Sequence, residues 1–347
     1  MQTIKFQNMR EKRQELFNVD NYTFNKFMFD SGERNVYSNV NLSIFVDDYC
    51  NADCDFCVAQ LRFENRGQMY KKSKIDSLEE YMVRLDQVFK RIRPLNPSIS
   101  ITGGEPTWSD KLPFILDLIN EYGFRKRTLT TNGSGLLRMS PSGNGLIIND
   151  IINNEFQHLN ISKVHYDEEI NQKIMKYQKG YTSNEDLRKI ILFSKANNLR
   201  PRMSCLLLQS GIHTLEDMIK YMEFYQNLGI DNVIFRELMD FDKERMINHE
   251  KVAFCKQNKV YLNNLWKQID TDSRFTKIKN ILGYYYYVEI YKYQNVDMCS
   301  ESANLVKLYE QKAVHNDIVF EMVFHPNGNL NGSWVDNEDI LLKYNKN

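Results

Sequence analysis

The hydrophobic pattern alternates between short apolar runs and longer stretches with apolar residues at helical spacing. Six runs have the length of buried β-strands: 42–46, 98–102, 127–131, 156–161, 203–208 and 233–235. The stretches between them, such as 78–92, 111–122 and 214–229, repeat apolar residues every three or four positions, which is typical of amphipathic helices. Strands that alternate with helices form βαβ units. The pattern therefore predicts an α/β fold with a parallel sheet, either open or curved into a partial barrel.

The chain on either side of this core has a different pattern. The first 40 residues are mostly polar, with a short helix predicted at Met9–Phe17 and a hairpin at Tyr22–Tyr37. After Phe241 the pattern predicts one helix, Val252–Ile269, followed by strands. Those strands are expected at 284–293 and 318–324. We therefore expect three segments: an N-terminal extension at 1–40, a core at 41–240 and an α+β C-terminal region at 241–347.

Charge and hydropathy limit the class of protein. The chain has 347 residues, of which 45 are Lys or Arg and 45 are Asp or Glu, so its formal net charge is zero. A neutral chain is poorly suited to non-specific nucleic-acid binding, which depends on neutralising phosphates. No apolar run approaches the ~20 residues of a membrane span, and the N-terminus lacks the apolar segment of a secretory signal. We therefore expect a cytoplasmic protein that binds neither membranes nor, without specificity, nucleic acid.

Three of the six cysteines lie close together directly after the first predicted strand: Cys50, Cys54 and Cys57. A structural zinc site would need a fourth ligand, and the nearest histidine in the sequence is His158. Three cysteines on a [4Fe–4S] cluster instead leave one iron open to a small molecule, in the way that catalytic metal sites keep an open position. A structural zinc site or three unrelated cysteines are the alternatives.

Further motifs follow the next predicted strands. The cysteine motif has the form CxxxCxxC, with an aromatic residue, Phe56, before its third cysteine. The motifs that follow successive strands are TGGEPT at 102–107, TTNG at 130–133 and LNIS at 159–162. In this order they resemble the radical S-adenosylmethionine (AdoMet) superfamily over residues 41–240. The resemblance is closest to the branch that contains the molybdenum-cofactor GTP cyclase and the peptide-modifying SPASM enzymes.

This resemblance implies a partial (β/α)6 TIM-like barrel with its site at the C-terminal ends of the strands. It also implies a [4Fe–4S] cluster bound by the three cysteines, with AdoMet at the open iron. The residues expected to bind AdoMet are Phe56, Gly103, Gly104, Glu105, Asn132 and Ser162. The two glycines would let the backbone approach the AdoMet amino group, and Phe56 would lie against the adenine. A plain turn role is the alternative for the polar residues.

The expected function is that of an oxidoreductase of the radical AdoMet type. The reduced cluster would cleave AdoMet, and the resulting radical would abstract a hydrogen atom from the substrate. A nucleotide, sugar or other small metabolite is the favoured substrate; modification of a ribosomal peptide, or a non-catalytic metal-binding protein of the same fold, are the alternatives. The expected partner is an electron donor such as flavodoxin or ferredoxin. An electron carrier is disfavoured because such proteins close the cluster with four ligands.

Three residues that follow predicted strands are candidates for the substrate side of the site: His165, Arg236 and Glu237. In a parallel barrel such positions face the cavity, although a structural histidine or ion pair is the alternative. The region from about Asp242 to Trp334 is expected to cover the cavity, together with the basic stretch at 62–74. For that basic stretch, a solvated loop is the alternative.

The remaining cysteines, Cys205, Cys255 and Cys299, are isolated in the sequence. The GTP cyclase and SPASM relatives carry a cysteine-rich C-terminal signature, but here Trp334 stands where a cysteine would be expected. The sequence therefore predicts no second cluster. Cys205 lies in an apolar strand, where we expect a buried free thiol.

Overall fold

The structure, a computed structural model, describes residues 10, 18–60, 74–241, 246 and 248–345. The strands of this part of the chain are β1 Phe24–Phe29, β2 Gly32–Phe45, β3 Ser98–Thr102, β4 Arg127–Thr131, β5 His158–Ser162, β6 Arg200–Leu206, β7 Asn232–Arg236, β8 Phe275–Leu282, β9 Tyr286–Tyr293, β10 Val296–Ala303, β11 Ile318–Phe324, β12 Leu330–Asn331 and β13 Ile340–Leu342. The helices are α1 Leu78–Ile92, α2 Leu112–Tyr122, α3 Ile147–Asn153, α4 Glu168–Met175, α5 Asn184–Ala196, α6 Leu215–Asn227, α7 His249–Asn258, α8 Leu262–Ile269 and α9 Leu305–Val314.

The six strands predicted for the core are present as β2 to β7. The helix predicted at Met9–Phe17 lies outside the described residues apart from Arg10.

These strands form one mixed sheet. Its order is β13-β12-β11-β2-β3-β4-β5-β6-β7-β10-β9-β8, with β1 paired to β2. Neighbouring strands from β11 to β10 are parallel, and the other pairs are antiparallel. The sheet does not close on itself. The predicted α/β fold, a partial barrel with an α+β C-terminal extension, is confirmed.

Caps and buried stripes explain where the helices lie. Before α1, Ser77 Oγ accepts from the Glu80 N–H at 3.2 Å. Before α6, Thr214 and Asp217 form a capping box, in which each side chain accepts from the other residue's N–H at 3.1 Å. The buried face of α1 consists of Tyr81, Leu85, Val88, Phe89 and Ile92. No helix in the described ranges is both long and apolar enough to cross a membrane.

The C-terminal region supplies strands to both edges of the core. β10 pairs with β7 in parallel, and β11 pairs with β2 in parallel. The sequence pattern did not predict this, because a strand's partner is not encoded in its own periodicity. The helix predicted at Val252–Ile269 is divided into α7 and α8, since Lys259 and Tyr261 adopt extended backbone conformations between them.

The two faces of the sheet differ in polarity. One face packs against the helices in the main hydrophobic core and carries Leu42, Ile101, Leu129, Ile161, Met203 and Phe235. The strand register puts the alternate residues on the other face, in neighbouring pairs such as Ser43 with Ser100, Thr130 with Asn160, and Ser162 with Ser204. In a barrel whose helices lie outside, this second face is the inner one. We refer to it as the inner face.

An aromatic contact connects strands from opposite ends of the parallel run. The ring of Tyr284, just before β9, stacks on Phe320 of β11 with the centroids 4.5 Å apart. Nearby, the Tyr22 hydroxyl donates to the Leu282 carbonyl at 2.9 Å. The strand predicted from Tyr284 begins at Tyr286, which leaves the first tyrosines of the run in the connection before it. These contacts join the two sides of the open sheet without backbone pairing.

Candidate metal centre

The loop that carries the three clustered cysteines is fixed by the segment after α4. Ala52 and Tyr177 form an isolated antiparallel bridge, and the Gln178 N–H donates to the Asn51 carbonyl at 2.8 Å. The chain can turn into this pairing because Lys176, the residue after α4, adopts the left-handed conformation with φ at 53°. The cysteine loop is therefore held as one side of a short β-ribbon beyond the C-terminal end of β2.

Asn51, next to the first cysteine, joins three parts of the site. Its side chain is 1% exposed. Its Nδ2 donates to the Lys179 carbonyl at 2.7 Å and to Ser134 Oγ at 2.9 Å, and its Oδ1 accepts from Asn132 Nδ2 at 2.9 Å. One amide thus connects the cysteine loop, the turn after β4 and the segment after α4. Sequence analysis missed this residue, because asparagine in a loop ordinarily has only a local turn role.

Glu105 joins the GGEP motif to the TTNG motif. It is 3% exposed. Its Oε1 accepts from the Thr107 N–H at 3.0 Å and from the Thr131 hydroxyl, and its Oε2 accepts from the Asn132 N–H at 2.7 Å. Burial raises the pKa of Glu105, and these hydrogen bonds oppose that rise. Both carboxylate oxygens are bonded within the protein, so Glu105 positions the turn after β4; its predicted contact with AdoMet stays a prediction.

The two glycines of the GGEP motif lie against the chain that leads into the cysteine loop. A Cβ added at Gly104 would lie 1.8 Å from the Tyr49 carbonyl oxygen. Gly103 has φ at 102°, and a Cβ there would lie 2.7 Å from the Phe45 ring. Glycine is therefore required for the close packing of these two strand ends. The Gly104 backbone is also exposed, as an approach by AdoMet would need; that approach stays a prediction.

Burial and proximity set the protonation of the cysteine thiols. Burial raises the pKa of Cys54 well above its ordinary value, and the neighbouring Cys57 and Cys50 raise it further. Burial also raises the pKa of Cys57. Lys251 of α7 opposes both shifts, and its Nζ donates to the Cys54 carbonyl at 2.7 Å. Bound iron would replace the thiol protons and keep the sulfurs as thiolates, and three soft sulfur donors fit the chemistry of an iron–sulfur cluster.

The donors are not gathered around a single point. Within the described ranges, no three His, Cys, Asp or Glu side chains lie close enough together to hold one metal ion. A structural zinc site needs such a compact tetrahedral set. In a cubane cluster each cysteine binds a different iron, so the sulfurs stand farther apart. Binding of a [4Fe–4S] cluster by Cys50, Cys54 and Cys57 stays a prediction.

Phe56 and Ser162, both predicted to bind AdoMet, lie in different surroundings. Phe56 packs against a second hydrophobic cluster, which contains Met175, Val252 and Leu308. This cluster brings α7 and α9 of the C-terminal region against the cysteine loop. Ser162 ends β5 on the inner face. The predicted contacts of both residues with AdoMet stay predictions.

The three substrate-side candidates are placed apart. Arg236 lies on the inner face, where its Nη1 donates to Ser204 Oγ at 2.8 Å. Glu237 is buried, and its Oε2 accepts from the Leu262 N–H at 3.3 Å, at the start of α8. His165 Nδ1 accepts from the backbone N–H two residues on at 2.9 Å, and burial lowers the pKa of this histidine. Of the three, Arg236 has the position that a substrate contact would need; their substrate roles stay predictions.

The other cysteines occupy separate positions. Cys205 is fully buried on the helix side of β6, as predicted for a free thiol. Cys299 lies on the inner face of β10, paired in register with Ile234. Cys255 lies on α7, and burial raises its pKa to about 11, with the nearby Cys57 a smaller cause of the rise. The three thiols thus belong to three different elements.

Most of the basic stretch predicted as a lid lies outside the described residues. Its last member, Lys74, is described. The Lys74 Nζ pairs with Asp47 at 2.5 Å and with Asp48 at 3.0 Å. Both acids lie between β2 and the cysteine loop, so Lys74 helps to hold the chain that enters the loop.

Lys163 is a buried cation that sequence analysis missed. It is 1% exposed, its Nζ donates to the Thr182 carbonyl at 2.7 Å, and it lies 4.1 Å from the centroid of the Tyr181 ring. Burial lowers the pKa of Lys163 to about 8. It directly follows Ser162, yet nothing in the sequence marks it, because lysines are ordinarily exposed.

Comparison with known proteins adds the following. No family model matches the chain. Over 88% of its length, the chain is similar to SuiB from Streptococcus suis, solved bound to S-adenosylmethionine, with a TM-score of 0.56 and 15% sequence identity. The chain therefore shares its fold with SuiB. The match covers 63% of SuiB, and at this identity the likeness concerns the fold alone.

Two further likenesses are more limited. TsrM from Kitasatospora setae, a radical S-adenosylmethionine methyltransferase solved with cobalamin and a [4Fe–4S] cluster, matches with a TM-score of 0.41 and 12% identity, over 69% of this chain and 42% of TsrM. This TM-score is too low to establish a shared fold. The 7,8-dihydro-6-hydroxymethylpterin dimethyltransferase of Methanocaldococcus jannaschii is 33% identical over 91 residues, which are 26% of this chain and 17% of that protein. The chain therefore spans less than two thirds of each of these three proteins.

Proposed function

We propose that this chain is a radical AdoMet enzyme. One observation carries the proposal: Asn51 and Glu105 join the three-cysteine loop to the turns after β3 and β4. These are the places where the sequence resembles the AdoMet-binding motifs. The fold shared with SuiB, which was solved with S-adenosylmethionine, supports the same function.

In this proposal Cys50, Cys54 and Cys57 hold a [4Fe–4S] cluster, and AdoMet binds at its open iron. When bound, the cluster and AdoMet supply a 5′-deoxyadenosyl radical that abstracts a hydrogen atom from the substrate. The protein's own residues hold the loop, orient AdoMet and exclude water from the site. The hydrophobic cluster formed with α7 and α9 covers the cysteine loop and so excludes water from it.

The proposed AdoMet site lies at the C-terminal ends of β3, β4 and β5. Gly104 offers exposed backbone to the amino group, Ser162 offers a hydroxyl from the inner face, and Phe56 offers an aromatic surface to the adenine. Glu105 and Asn132 act differently from what the motif alone suggests. Because their side chains are hydrogen-bonded within the protein, their proposed role is to position the turns around AdoMet.

The favoured substrate is a small metabolite. The inner face carries hydroxyl, amide, guanidinium and carboxylate groups, which suit a polar molecule. Arg236, which pairs with Glu301 at 3.4 Å, is the proposed contact nearest the C-terminal edge. The partial likeness to an enzyme named for a pterin substrate agrees with a metabolite. Delivery of the electron requires a donor, for which we propose a flavodoxin or ferredoxin.

Anaerobic reconstitution of the full chain tests the proposal. We expect about four irons per chain and the formation of 5′-deoxyadenosine when AdoMet and dithionite are added. Replacing Cys50, Cys54 and Cys57 together by Ala should abolish iron binding and the formation of 5′-deoxyadenosine. The control Cys299→Ala, on β10, should retain the iron and the AdoMet cleavage. Tightly bound zinc without iron would overturn the proposal, and bound iron without AdoMet cleavage would favour a non-catalytic metal-binding protein.

A further inference from the structure

A cleft of about 740 Å³ opens at the end of the sheet opposite to the cysteine loop. It lies at the N-terminal ends of β5, β6 and β7, and His158, Arg200, Arg202 and Asn232 are among its lining residues. Its size falls within the range of small-molecule sites in proteins. None of the motifs that resemble the AdoMet-binding sequences contributes to it.

The cleft has an excess of positive charge. Its two acidic lining residues, Asp231 and Asp297, are already paired with lysines, at 3.1 Å and 2.8 Å. In contrast, Arg200 and Arg202 form no ion pair with any residue that the structure describes; the Arg202 Nε donates to the neutral Asn232 Oδ1 at 2.9 Å. Two guanidinium groups therefore stand at the cleft with no described carboxylate in ion-pair contact, although the charge of Glu301 acts on Arg202 from farther away.

His158 lies among these cations. Its Nδ1 is buried and has no hydrogen-bond partner in the described part of the chain. Burial, and then the charges of Arg202, Lys126 and Arg200, lower the pKa of His158 to about 4. Three cations thus act on one half-buried ring, which is the electrostatic environment that a bound anion would relieve.

We propose that this cleft is a phosphate-binding site, in which Arg200 and Arg202 bind the phosphate of a small metabolite. Guanidinium groups form paired, charge-assisted hydrogen bonds with phosphate oxygens. Phosphate carries more negative charge than a single carboxylate, which suits a site lined by these two guanidinium groups. Because the cations line a cleft, a small phosphate-bearing molecule fits them better than an extended polymer.

Strand β6 reaches from the cleft to the level of Arg236, and this second step rests on the proposed function. Arg202 and Ser204 alternate along the inner face of β6, and Leu206 of the same strand is paired with Arg236. At the usual rise of a strand, the Cα atoms of Arg202 and Leu206 are separated by roughly 13 Å along β6. A molecule that reached from the cleft to Arg236 would therefore need about the length of a nucleotide. The structure thus points to a phosphorylated metabolite as the substrate.

Calorimetric titration of the full chain with inorganic phosphate and inorganic diphosphate, at fixed ionic strength, tests the phosphate site. We expect binding that falls at least about tenfold in the double variant Arg200→Gln/Arg202→Gln, because two charge-assisted contacts are lost. Lys90→Gln removes the same type of charge from the outer surface of α1 and should bind as the unmodified chain does. Acetate at the same concentration should bind much more weakly than phosphate.

A second measurement is independent of affinity. In histidine-labelled protein, NMR titration should show that phosphate raises the pKa of His158, and that Arg202→Gln raises it without phosphate. No phosphate binding, equal binding by the double variant, or a His158 pKa that phosphate leaves unchanged would overturn the site. None of these results depends on AdoMet cleavage, so failure of the phosphate site and failure of the proposed function can be distinguished.

Discussion

The side-chain amide of Asn132 donates to Asn51 Oδ1 at 2.9 Å, across 81 residues of sequence. The two residues belong to different motifs, one in the cysteine loop and one in the turn after β4. Because neither amide is more than slightly exposed, Asn51 Oδ1 and Asn132 Nδ2 depend on each other to complete their hydrogen bonding. The cysteine loop therefore cannot move without disturbing the turn after β4.

The variant Asn51→Ala tests this coupling. It leaves the Lys179 carbonyl and the Asn132 amide without their partner, and buried polar groups left unpaired cost about 1–3 kcal/mol each. We expect the free energy of unfolding, measured with urea, to fall by about 2–4 kcal/mol, and reconstituted iron to fall with it. Asn153→Ala, at an exposed position at the end of α3, should change neither. Unchanged iron content in Asn51→Ala would show that the loop holds its shape alone.

The variant Gly104→Ala tests the packing of the GGEP motif. The motif alone suggests that a side chain here would weaken AdoMet binding and leave iron binding intact. The structure predicts a broader loss, because the new methyl group would collide with the Tyr49 carbonyl next to Cys50. We expect both iron and AdoMet to be lost, with the iron measured directly. In the control Gly123→Ala, where there is free space but φ is 61°, only about 1 kcal/mol of stability should be lost. Retention of full iron in Gly104→Ala would contradict this account.

The buried Lys163 predicts a pH dependence of stability. Burial lowers its pKa from the ordinary 10.5 to about 8 in the folded chain, so the unfolded chain binds more protons between these pH values. Stability therefore rises as pH rises from about 8 to 10.5, and the full cost of charging Lys163 is present below pH 8. The gain is roughly 3 kcal/mol at most.

Urea unfolding of Lys163→Met at pH 7.5 and pH 10 measures this effect. Relative to the unmodified chain, the variant should lose the part of the pH-dependent rise that Lys163 contributes. The variant lacks the contacts with Thr182 and Tyr181 at both pH values. The difference in unfolding free energy between the two pH values therefore does not contain that loss. Lys90→Met, at an exposed position of α1, should keep the rise. If Lys163→Met shows the same rise as the unmodified chain, Lys163 is not the group that titrates.

The position of Lys251 predicts an effect on the reduction potential of the proposed cluster. Its ammonium group contacts the Cys54 carbonyl and forms an ion pair with Asp53 at 3.1 Å. Positive charge near a cluster favours its reduced form. In the reconstituted full chain, Lys251→Met should therefore lower the reduction potential by roughly 30–60 mV, equal to a three- to tenfold shift for one electron. Lys256→Met, on the exposed side of the same helix, should leave the potential unchanged. An unchanged potential in Lys251→Met would mean that the ammonium group only holds the loop.

The sequence predicted the six core strands because each is a short apolar run with its own local signal, as in Ser98–Thr102. It drew attention to the cysteine loop because Cys50, Cys54 and Cys57 lie within eight residues of one another. It could not predict Asn51 or Lys163, whose roles come from partners that are distant in sequence. It also placed Glu237 with Arg236, although consecutive residues at a strand end point to opposite sides.

The pairing of β11 with β2 has a consequence for biosynthesis. The edge of β2 at Leu42–Ile44 finds its partner at Met322–Phe324, so about 280 residues must be translated before that edge is covered. At typical elongation rates this takes roughly 15–60 s, during which an apolar strand edge is open to pairing with other chains. A chain ending near Asp240 would keep this edge open permanently, together with that of β7. Newly made chains should therefore depend on chaperones until their last strands emerge, and shortened versions should aggregate.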